Sequence, residues 1–195
     1  AGVITPNSPA ECLVTGTVVT NSGTSKTANF AALLPMTGWN GKFMFIGCGG
    51  NCGTLSLPPT DDVLSKGYPV FVTDDGHLSS NVSWPISSPG VLDQDTVTDF
   101  GYRAVHTTIV DGKQLALAFF GASQFTHSYY EGCSDGGREG LVEADRYPDD
   151  FDGWIAGDPY FDVGGQNIIV SNVTAQLKYA DGMLPPALFT VASNI

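Results

Sequence analysis

The chain has 195 residues, of which 42% are hydrophobic and 11% aromatic; this is enough apolar material for one domain with a buried core and excludes wholesale disorder. Eight basic residues against 20 acidic ones give a net charge of −12, and a chain of that charge repels nucleic-acid phosphates and anionic membranes alike. No apolar run approaches the roughly 18–20 residues that a membrane span requires, so we expect neither nucleic acid nor a membrane as a partner.

The first half of the chain predicts strands and loops. Apolar and β-branched residues on both sides of a turn at residues 21–24 predict two short strands within residues 12–34. A third strand is predicted over residues 42–47, where the chain enters a glycine-rich loop, residues 47–53. The pattern then predicts a short helix within residues 56–66, a strand over 69–73 and a polar, Pro- and Ser-rich loop over 78–97.

The second half changes to helical periodicity. A long helix is predicted over residues 98–120, with Thr98 as its N-cap and Gly121 as its end. A strand over 128–130, a helix over 136–147, a strand over 151–156 and a helix around 173–179 follow. Because helices and strands alternate through this part of the chain, we predict an α/β fold with a mainly parallel sheet.

Several features indicate a secreted glycoprotein. The chain opens Ala-Gly-Val without an initiator Met, as a product of signal-peptide cleavage does. Asn81 and Asn172 each begin an Asn-x-Ser/Thr sequon, the acceptor sequence for N-linked glycans. The acidic balance, the few lysines and the cysteines agree with an extracellular location.

The cysteines are interpreted as disulfide-forming rather than metal-binding. Cys48 and Cys52 are not in a Cys-x-x-Cys spacing, and no histidine or second cysteine pair lies nearby, so we predict no metal site. We expect one structural disulfide, from Cys12 to either Cys48 or Cys52. Cys133 stands apart from the others and directly precedes Ser134.

The sequence around Ser134 predicts a catalytic turn. Gly132-Cys133-Ser134-Asp135-Gly136 fits Gly-x-Ser-x-Gly, the pattern of a nucleophilic serine on a sharp turn between a strand and a helix. The strained backbone of such a serine needs small neighbours, which the glycines provide. We predict Ser134 as the nucleophile and the N–H of Asp135 as one oxyanion donor. The earlier loop, at Gly49 and Gly50, would supply the second, as in α/β hydrolases. The alternative, that Ser134 only caps the helix, leaves the flanking glycines unexplained.

The surrounding sequence closely resembles the tannase and feruloyl esterase family. The resemblance rests first on residues 132–141 around Ser134 and on three segments after them, residues 143–144, 146–148 and 151–153. Four segments before Ser134 match as well, residues 39–43, 49–50, 73–77 and 100–106. Together they extend the similarity over residues 10–165 in the order typical of the family.

This resemblance implies an α/β-hydrolase fold with a mainly parallel sheet and flanking helices, here incomplete. Residues 1–165 would form the N-terminal part of the catalytic domain, and residues 166–195 would begin a large lid insertion. The implied activity is that of a serine carboxylic-ester hydrolase on galloyl, feruloyl or mono(hydroxyethyl) terephthalate esters. The substrate would be a small-molecule or polysaccharide-linked aromatic ester. No cofactor is expected, because the structural calcium of the family belongs to the lid.

The residues that would activate Ser134 are missing. In α/β hydrolases an acid and then a histidine follow the nucleophile, whereas His77, His106 and His127 all precede it. We expect His77 to be a structural or site-wall residue, His106 a packing residue and His127 a surface residue. The family pattern also implies that Cys133 pairs with a cysteine beside the catalytic histidine, and that cysteine is absent from this chain.

We therefore expect the chain to be the nucleophile-bearing part of a longer esterase. The remainder, as a possible second chain or as further sequence, would supply the acid and the histidine. The isolated chain would be inactive, because a serine without a base is a weak nucleophile. The alternative is a non-catalytic or inactive fragment of such a hydrolase that serves as a glycan- or phenolic-binding module.

Overall fold

A computed structural model describes residues 10–57, 61–78 and 83–179. The chain divides into two compact units, the first ending at Pro159 and the second beginning at Tyr160. Among the described residues, all strands belong to the first unit, and the second unit contains one helix. The assignment of residues 166–195 to the start of a lid stays a prediction.

The strands of the described residues form one large sheet and one small hairpin. They are β1 (Glu11–Asn21), β2 (Lys26–Pro35), β3 (Lys42–Ile46), β4 (Val70–Thr73), β5 (Ile86–Ser88), β6 (Val91–Leu92), β7 (His127–Cys133) and β8 (Gly153–Gly157). The large sheet has the order β1-β2-β4-β3-β7-β8. The β4–β3, β3–β7 and β7–β8 pairs are parallel, and both pairs made by β2 are antiparallel. The predicted mainly parallel α/β sheet is confirmed.

The helices flank this sheet or follow it in the chain. They are α1 (Asp61–Ser65), α2 (Gln94–Thr98), α3 (Ala104–Phe120), α4 (Asp135–Arg146) and α5 (Val163–Tyr179), with a π-helical turn, Asp99–Arg103, joining α2 to α3. The predicted start at Thr98 is wrong. The helical segment begins earlier because the Asp93 carboxylate caps α2, accepting a hydrogen bond from the Thr96 N–H at 3.2 Å.

The core lies between the sheet and α3. Phe43, Phe45 and Phe71 are fully buried on the central strands, and the rings of Phe43 and Phe71 are 5.0 Å apart. Gly112 lets α3 approach the sheet, since a Cβ there would lie 2.8 Å from the Phe71 ring. This packing fixes the position of the parallel strands β3, β4, β7 and β8. The carboxyl ends of these strands lie on the same side of the sheet, where the binding and catalytic sites of α/β proteins are usually found.

The predicted disulfide of Cys12 is not formed. Cys48 is bonded to Cys52, and Cys12 is a free thiol. The register explains the difference. Cys12 of β1 is paired with Leu34 beyond the amino end of β4, whereas Cys48 and Cys52 follow the carboxyl end of β3. The two positions lie at opposite ends of the strands and three strands apart in the sheet order. A disulfide requires Cα atoms within about 7 Å of each other, which this arrangement does not allow.

The second unit is described through α5. This helix is longer than the one predicted around residues 173–179, and the sequon residue Asn172 is exposed on it. The other sequon residue, Asn81, lies outside the described residues. Within the described ranges, no helix combines the length and the apolar character that crossing a membrane requires.

Candidate active site

Ser134 lies on a strained turn between β7 and α4. Its φ of 60° and ψ of −115° are unfavourable for a residue with a side chain. The turn is tight: a Cβ on Gly132 would lie 2.3 Å from the Gly136 carbonyl oxygen, and a Cβ on Gly136 would lie 2.7 Å from that of Cys48. Direct backbone contact therefore requires both flanking glycines, in agreement with the sequence pattern.

Ser134 is exposed, and its hydroxyl group does not cap the helix. Ser134 occupies the N-cap position of α4 but makes no side-chain capping bond, so the helix-capping alternative is wrong. Backbone bonds hold the residue instead: its N–H donates to the Gly157 carbonyl at 3.0 Å, and its carbonyl accepts from the Arg138 N–H at 3.1 Å. The hydroxyl thus stands at the positive end of the α4 dipole.

The glycine-rich loop packs directly on the turn. The Gly136 N–H donates to the Cys48 carbonyl at 2.8 Å, which fixes the beginning of the loop next to the start of α4. Gly49 and Gly50 follow at the surface, and the φ of 68° at Gly50 is one that glycine adopts readily. The N–H groups of Asp135, Gly49 and Gly50 remain the predicted oxyanion donors.

A buried polar cluster supports this loop, and we call Asp75, Asp135 and Glu139 the carboxyl triplet. Each member is at most 2% exposed. Arg138 donates to both carboxylate oxygens of Asp135, at 2.7 and 2.8 Å, and lies 3.7 Å from Asp75. The Cys48–Cys52 disulfide rests on the triplet, because the Cys52 sulfur lies 3.3, 3.2 and 3.4 Å from carboxyl oxygens of the three members.

The triplet holds more carboxyl groups than Arg138 can neutralise. Burial raises the pKa of Asp75 well above its usual range, and the adjacent charge of Glu139 adds to the increase. Burial also raises the pKa of Glu139 to about 7, although Arg138 opposes this shift. Carboxyl oxygens of Asp75 and Glu139 lie within 4.8 Å of each other. Ionisation of both groups therefore places like charges side by side in the core.

Tyr130 ties the triplet to the catalytic turn. Its buried hydroxyl donates to the Gly136 carbonyl and contacts a Glu139 carboxyl oxygen, both at 2.8 Å. We expect Tyr130→Phe to lower the free energy of unfolding by about 1–3 kcal/mol, because both acceptors lose a buried partner. Urea denaturation measures the change. Tyr129→Phe, on the opposite face of the same strand, is the control, and equal losses from the two variants would contradict the prediction.

The three histidines lie apart from one another. His77 is buried after β4, its Nε2 lies 2.7 Å from the Asn51 carbonyl oxygen, and its ring stacks on Trp84, as a site-wall residue would. His106 is half-buried on α3. His127 is exposed at the beginning of β7, the end of the strand remote from Ser134.

His106 belongs to a second polar cluster. Its Nδ1 lies 3.2 Å from Glu143 and 2.9 Å from Asp150, and its ring stacks on Tyr147. Burial opposes the charge on His106, but the two carboxylates raise its pKa. Acidic residues after α4 are also tied to the fold, because Asp150 faces His106 and Asp152 accepts a hydrogen bond from the Ser128 N–H at 2.7 Å.

Among the residues that the structure describes, two groups of side chains place possible metal-ligand atoms within 4.8 Å of one another. The first consists of the carboxyl triplet with Cys48 and Cys52, where the sulfurs are bonded to each other and Arg138 supplies positive charge. The second consists of His106, Glu143 and Asp150, which contact one another. Contacts within the protein account for both groups, so neither demands an ion.

Four residues of this cluster are not predicted as site residues by the sequence patterns, namely Asp75, Tyr130, Arg138 and Glu139. Arg138 and Glu139 follow Asp135 by three and four residues, so they share its helix face. That spacing was the available signal. It does not reveal that this face is turned toward the sheet, because charged residues usually mark the exposed side of a helix.

A family model described as tannase and feruloyl esterase matches residues 12–194. The chain belongs to this family. It is 34% identical over 179 residues to a probable feruloyl esterase B-1 of Aspergillus terreus, an alignment that covers 87% of this chain and 32% of the relative. A probable feruloyl esterase of Arthroderma benhamiae is 33% identical over 159 residues, covering 79% of this chain and 29% of the relative. The chain thus spans about a third of the length of these relatives.

Solved structures of family members share the fold. Feruloyl esterase B from Aspergillus oryzae is 34% identical with a TM-score of 0.66, over 76% of this chain and 28% of that one. Tannin acyl hydrolase from Aspergillus niger is 25% identical with a TM-score of 0.63, over 82% and 35% of the two chains. The predicted α/β-hydrolase-type fold and the resemblance to the tannase and feruloyl esterase family are therefore confirmed.

Proposed function

We propose that the chain carries the nucleophile of a secreted carboxylic-ester hydrolase that acts on esters of phenolic acids, such as feruloyl or galloyl esters. The observation that carries the proposal is the strained, exposed Ser134 at the amino end of α4, whose hydroxyl is not used for capping. Family membership and the names of the relatives support the ester class.

The reaction follows from this geometry. The Ser134 hydroxyl oxygen attacks the ester carbonyl carbon while its proton passes to a general base. The oxyanion of the tetrahedral intermediate accepts hydrogen bonds from the N–H of Asp135 and from Gly49 or Gly50. The intermediate collapses, the alcohol leaves with a proton, and the acyl group stays on Ser134. Water then attacks the acyl-enzyme and releases the phenolic acid.

The general base comes from outside this chain. His77 contacts the Asn51 carbonyl, His106 faces Glu143 and Asp150, and His127 stands at the far end of β7. The remainder of the same enzyme would supply the acid and the histidine. In this proposal the exposed, free thiol of Cys133 bonds to a cysteine of that remainder. Secretion accords with the sequon at the exposed Asn172.

A labelling experiment tests the proposal. The protein expressed from its full-length gene is treated with a fluorophosphonate, and hydrolysis of methyl ferulate and methyl gallate is followed in parallel. We expect a covalent adduct on the peptide containing Ser134 and a parallel loss of turnover, with no adduct in Ser134→Ala. Turnover that persists while Ser134 is unlabelled would refute its role as the nucleophile.

A further inference from the structure

We infer that Glu139 is a positioning residue that seats the disulfide-closed loop Cys48–Cys52 against the catalytic turn, through a carboxyl pair that it forms with Asp75. The inference rests on the proposed function, because the loop contains the proposed oxyanion donors Gly49 and Gly50. Glu139 itself would touch neither substrate nor reacting atoms. Its effect would pass through the position of the loop.

The loop packs directly on the carboxyl group of Glu139. A carboxyl oxygen of Glu139 lies 2.8 Å from the Cys48 sulfur and 3.4 Å from the Cys52 sulfur, so it contacts both ends of the loop. A Cβ on Gly47 would lie 2.7 Å from Glu139 and 2.7 Å from the Gly136 Cα. No space separates the loop, the carboxyl group and the turn, so displacement of one moves the others.

The same carboxyl group is also tied to the catalytic turn. The other carboxyl oxygen of Glu139 lies 2.8 Å from the Tyr130 hydroxyl, which also donates to the Gly136 carbonyl. Glu139 thus links the loop on one side to the first turn of α4 on the other. An oxyanion hole works only when its donors are fixed in advance, and this link fixes the two donor-bearing segments relative to each other.

The charges around Glu139 also support this role. Asp75 faces Glu139 from the loop after β4, Asp135 from α4 and the hydroxyl of Tyr130 from β7, and Arg138 is the cation among them. One Asp75 carboxyl oxygen is buried without a hydrogen-bond partner in the described residues. Oxygens of Asp75 and Glu139 lie within 4.8 Å of each other and both contact the Cys52 sulfur, so ionisation of both carboxyl groups sets like charges against each other directly below the loop. We expect the loop to loosen as pH rises through the range in which the pair ionises.

Kinetics of three variants of the protein expressed from its full-length gene test this role. Glu139→Ala should lower kcat for methyl ferulate about tenfold or more, with KM within about twofold, because the donors are misplaced while substrate contacts persist. Glu139→Gln keeps the acceptor for Tyr130 and should restore most of kcat. In the parent protein we expect kcat to fall at alkaline pH as the loop loosens. Glu139→Gln and Asp75→Asn should each abolish this alkaline fall of kcat or move it to higher pH.

Glu143→Gln is the matched control, since Glu143 is equally buried one turn further along α4 but faces His106. It should keep the alkaline fall of the parent protein. The inference is overturned if Glu139→Ala retains parental kcat, if Glu139→Gln and Asp75→Asn retain the parental alkaline fall, or if Glu143→Gln shifts it equally.

A readout without catalysis separates this inference from the proposed function. Hydrogen exchange of the amides of residues 49–52 should accelerate at least tenfold in Glu139→Ala and remain parental in Glu143→Gln. A parent protein that neither turns over ester nor labels at Ser134 would refute the proposed function alone. Unchanged exchange in Glu139→Ala would refute the seating of the loop, whatever the activity of the parent.

Discussion

Replacing Ser134 by glycine is expected to abolish ester hydrolysis and at the same time to stabilise the protein. Loss of the nucleophile should lower kcat by about 10⁴-fold or more. The stabilisation arises because the φ of 60° and ψ of −115° strain any residue that carries a Cβ, at a cost of about 1–3 kcal/mol, whereas glycine adopts positive φ freely. The larger entropy of an unfolded chain with an added glycine offsets part of this gain, so a net increase of about 1 kcal/mol is expected.

Ser134→Ala separates the two effects. Alanine also lacks the hydroxyl and should lose as much turnover, but it keeps the Cβ and therefore the strain. Urea denaturation of both variants, beside methyl ferulate turnover, measures the comparison. Ser134→Gly should unfold at a higher urea concentration than Ser134→Ala, with the same dependence of the free energy of unfolding on urea. If it is no more stable than Ser134→Ala, then the backbone of Ser134 is not strained in solution.

This prediction depends on a feature that the sequence reveals well. The glycines around Ser134 are required because the backbones of β7, α4 and the earlier loop touch there, and only glycine fits. A requirement of that kind is local, so it leaves a local pattern. The same holds for Gly121, which ends α3 with a φ of 64°, and for the turn between β1 and β2. Elements of this kind were predicted correctly.

Features that depend on distant contacts were not predictable in this way. The disulfide partner of Cys48 depends on the sheet order, which places Cys12 three strands away. The start of the long helix depends on Asp93, which in addition forms an ion pair with Lys26 at 2.6 Å. A single sequence carries no signal that excludes Cys12, because strands more than thirty positions apart set its distance from Cys48. Asp93, three positions before Thr96, is by contrast a local N-cap signal, and only its ion pair with Lys26 is a distant contact.

The carboxyl triplet shows the same limit for the candidate site. Its members come from the loop after β4 and from the first turns of α4, and only the fold brings them together. Their burial also contradicts the ordinary expectation that charged residues are exposed. Polar residues of this kind are kept in a core when function or specificity requires them, which is why the triplet points to the site.

Removing the cation of this cluster should cause the largest loss of stability. We expect Arg138→Met to lower the free energy of unfolding at neutral pH by about 3–5 kcal/mol, because it leaves the buried Asp135 carboxylate without its bidentate partner. Methionine keeps an apolar contact with Phe100, whose ring centroid lies 4.2 Å from the Arg138 guanidinium carbon. The loss therefore reports mainly on charge, and urea denaturation measures it.

Arg146→Met is the matched control. Arg146 lies on the same helix and stacks on Tyr102 at 4.1 Å, but it is exposed and has no salt bridge in the part of the chain that the structure describes. Its replacement should cost less than about 1 kcal/mol, since exposed charges contribute little to stability. A loss of comparable size in the two variants would show that stacking, rather than the buried ion pair, accounts for the effect.

The pH dependence of Arg138→Met gives a second, independent check. Arg138 lowers the pKa values of Asp75 and Glu139, which burial already raises, so without the guanidinium both pKa values rise further above the ordinary values of the unfolded chain. At a pH between the unfolded-state and the folded-state pKa values, the folded variant binds more protons than the unfolded one. The stability of the variant therefore rises as pH falls through this range. The stability difference from the parent protein should therefore shrink between neutral pH and about pH 5. A difference that stays constant over this range would mean that the carboxyl groups do not carry the loss.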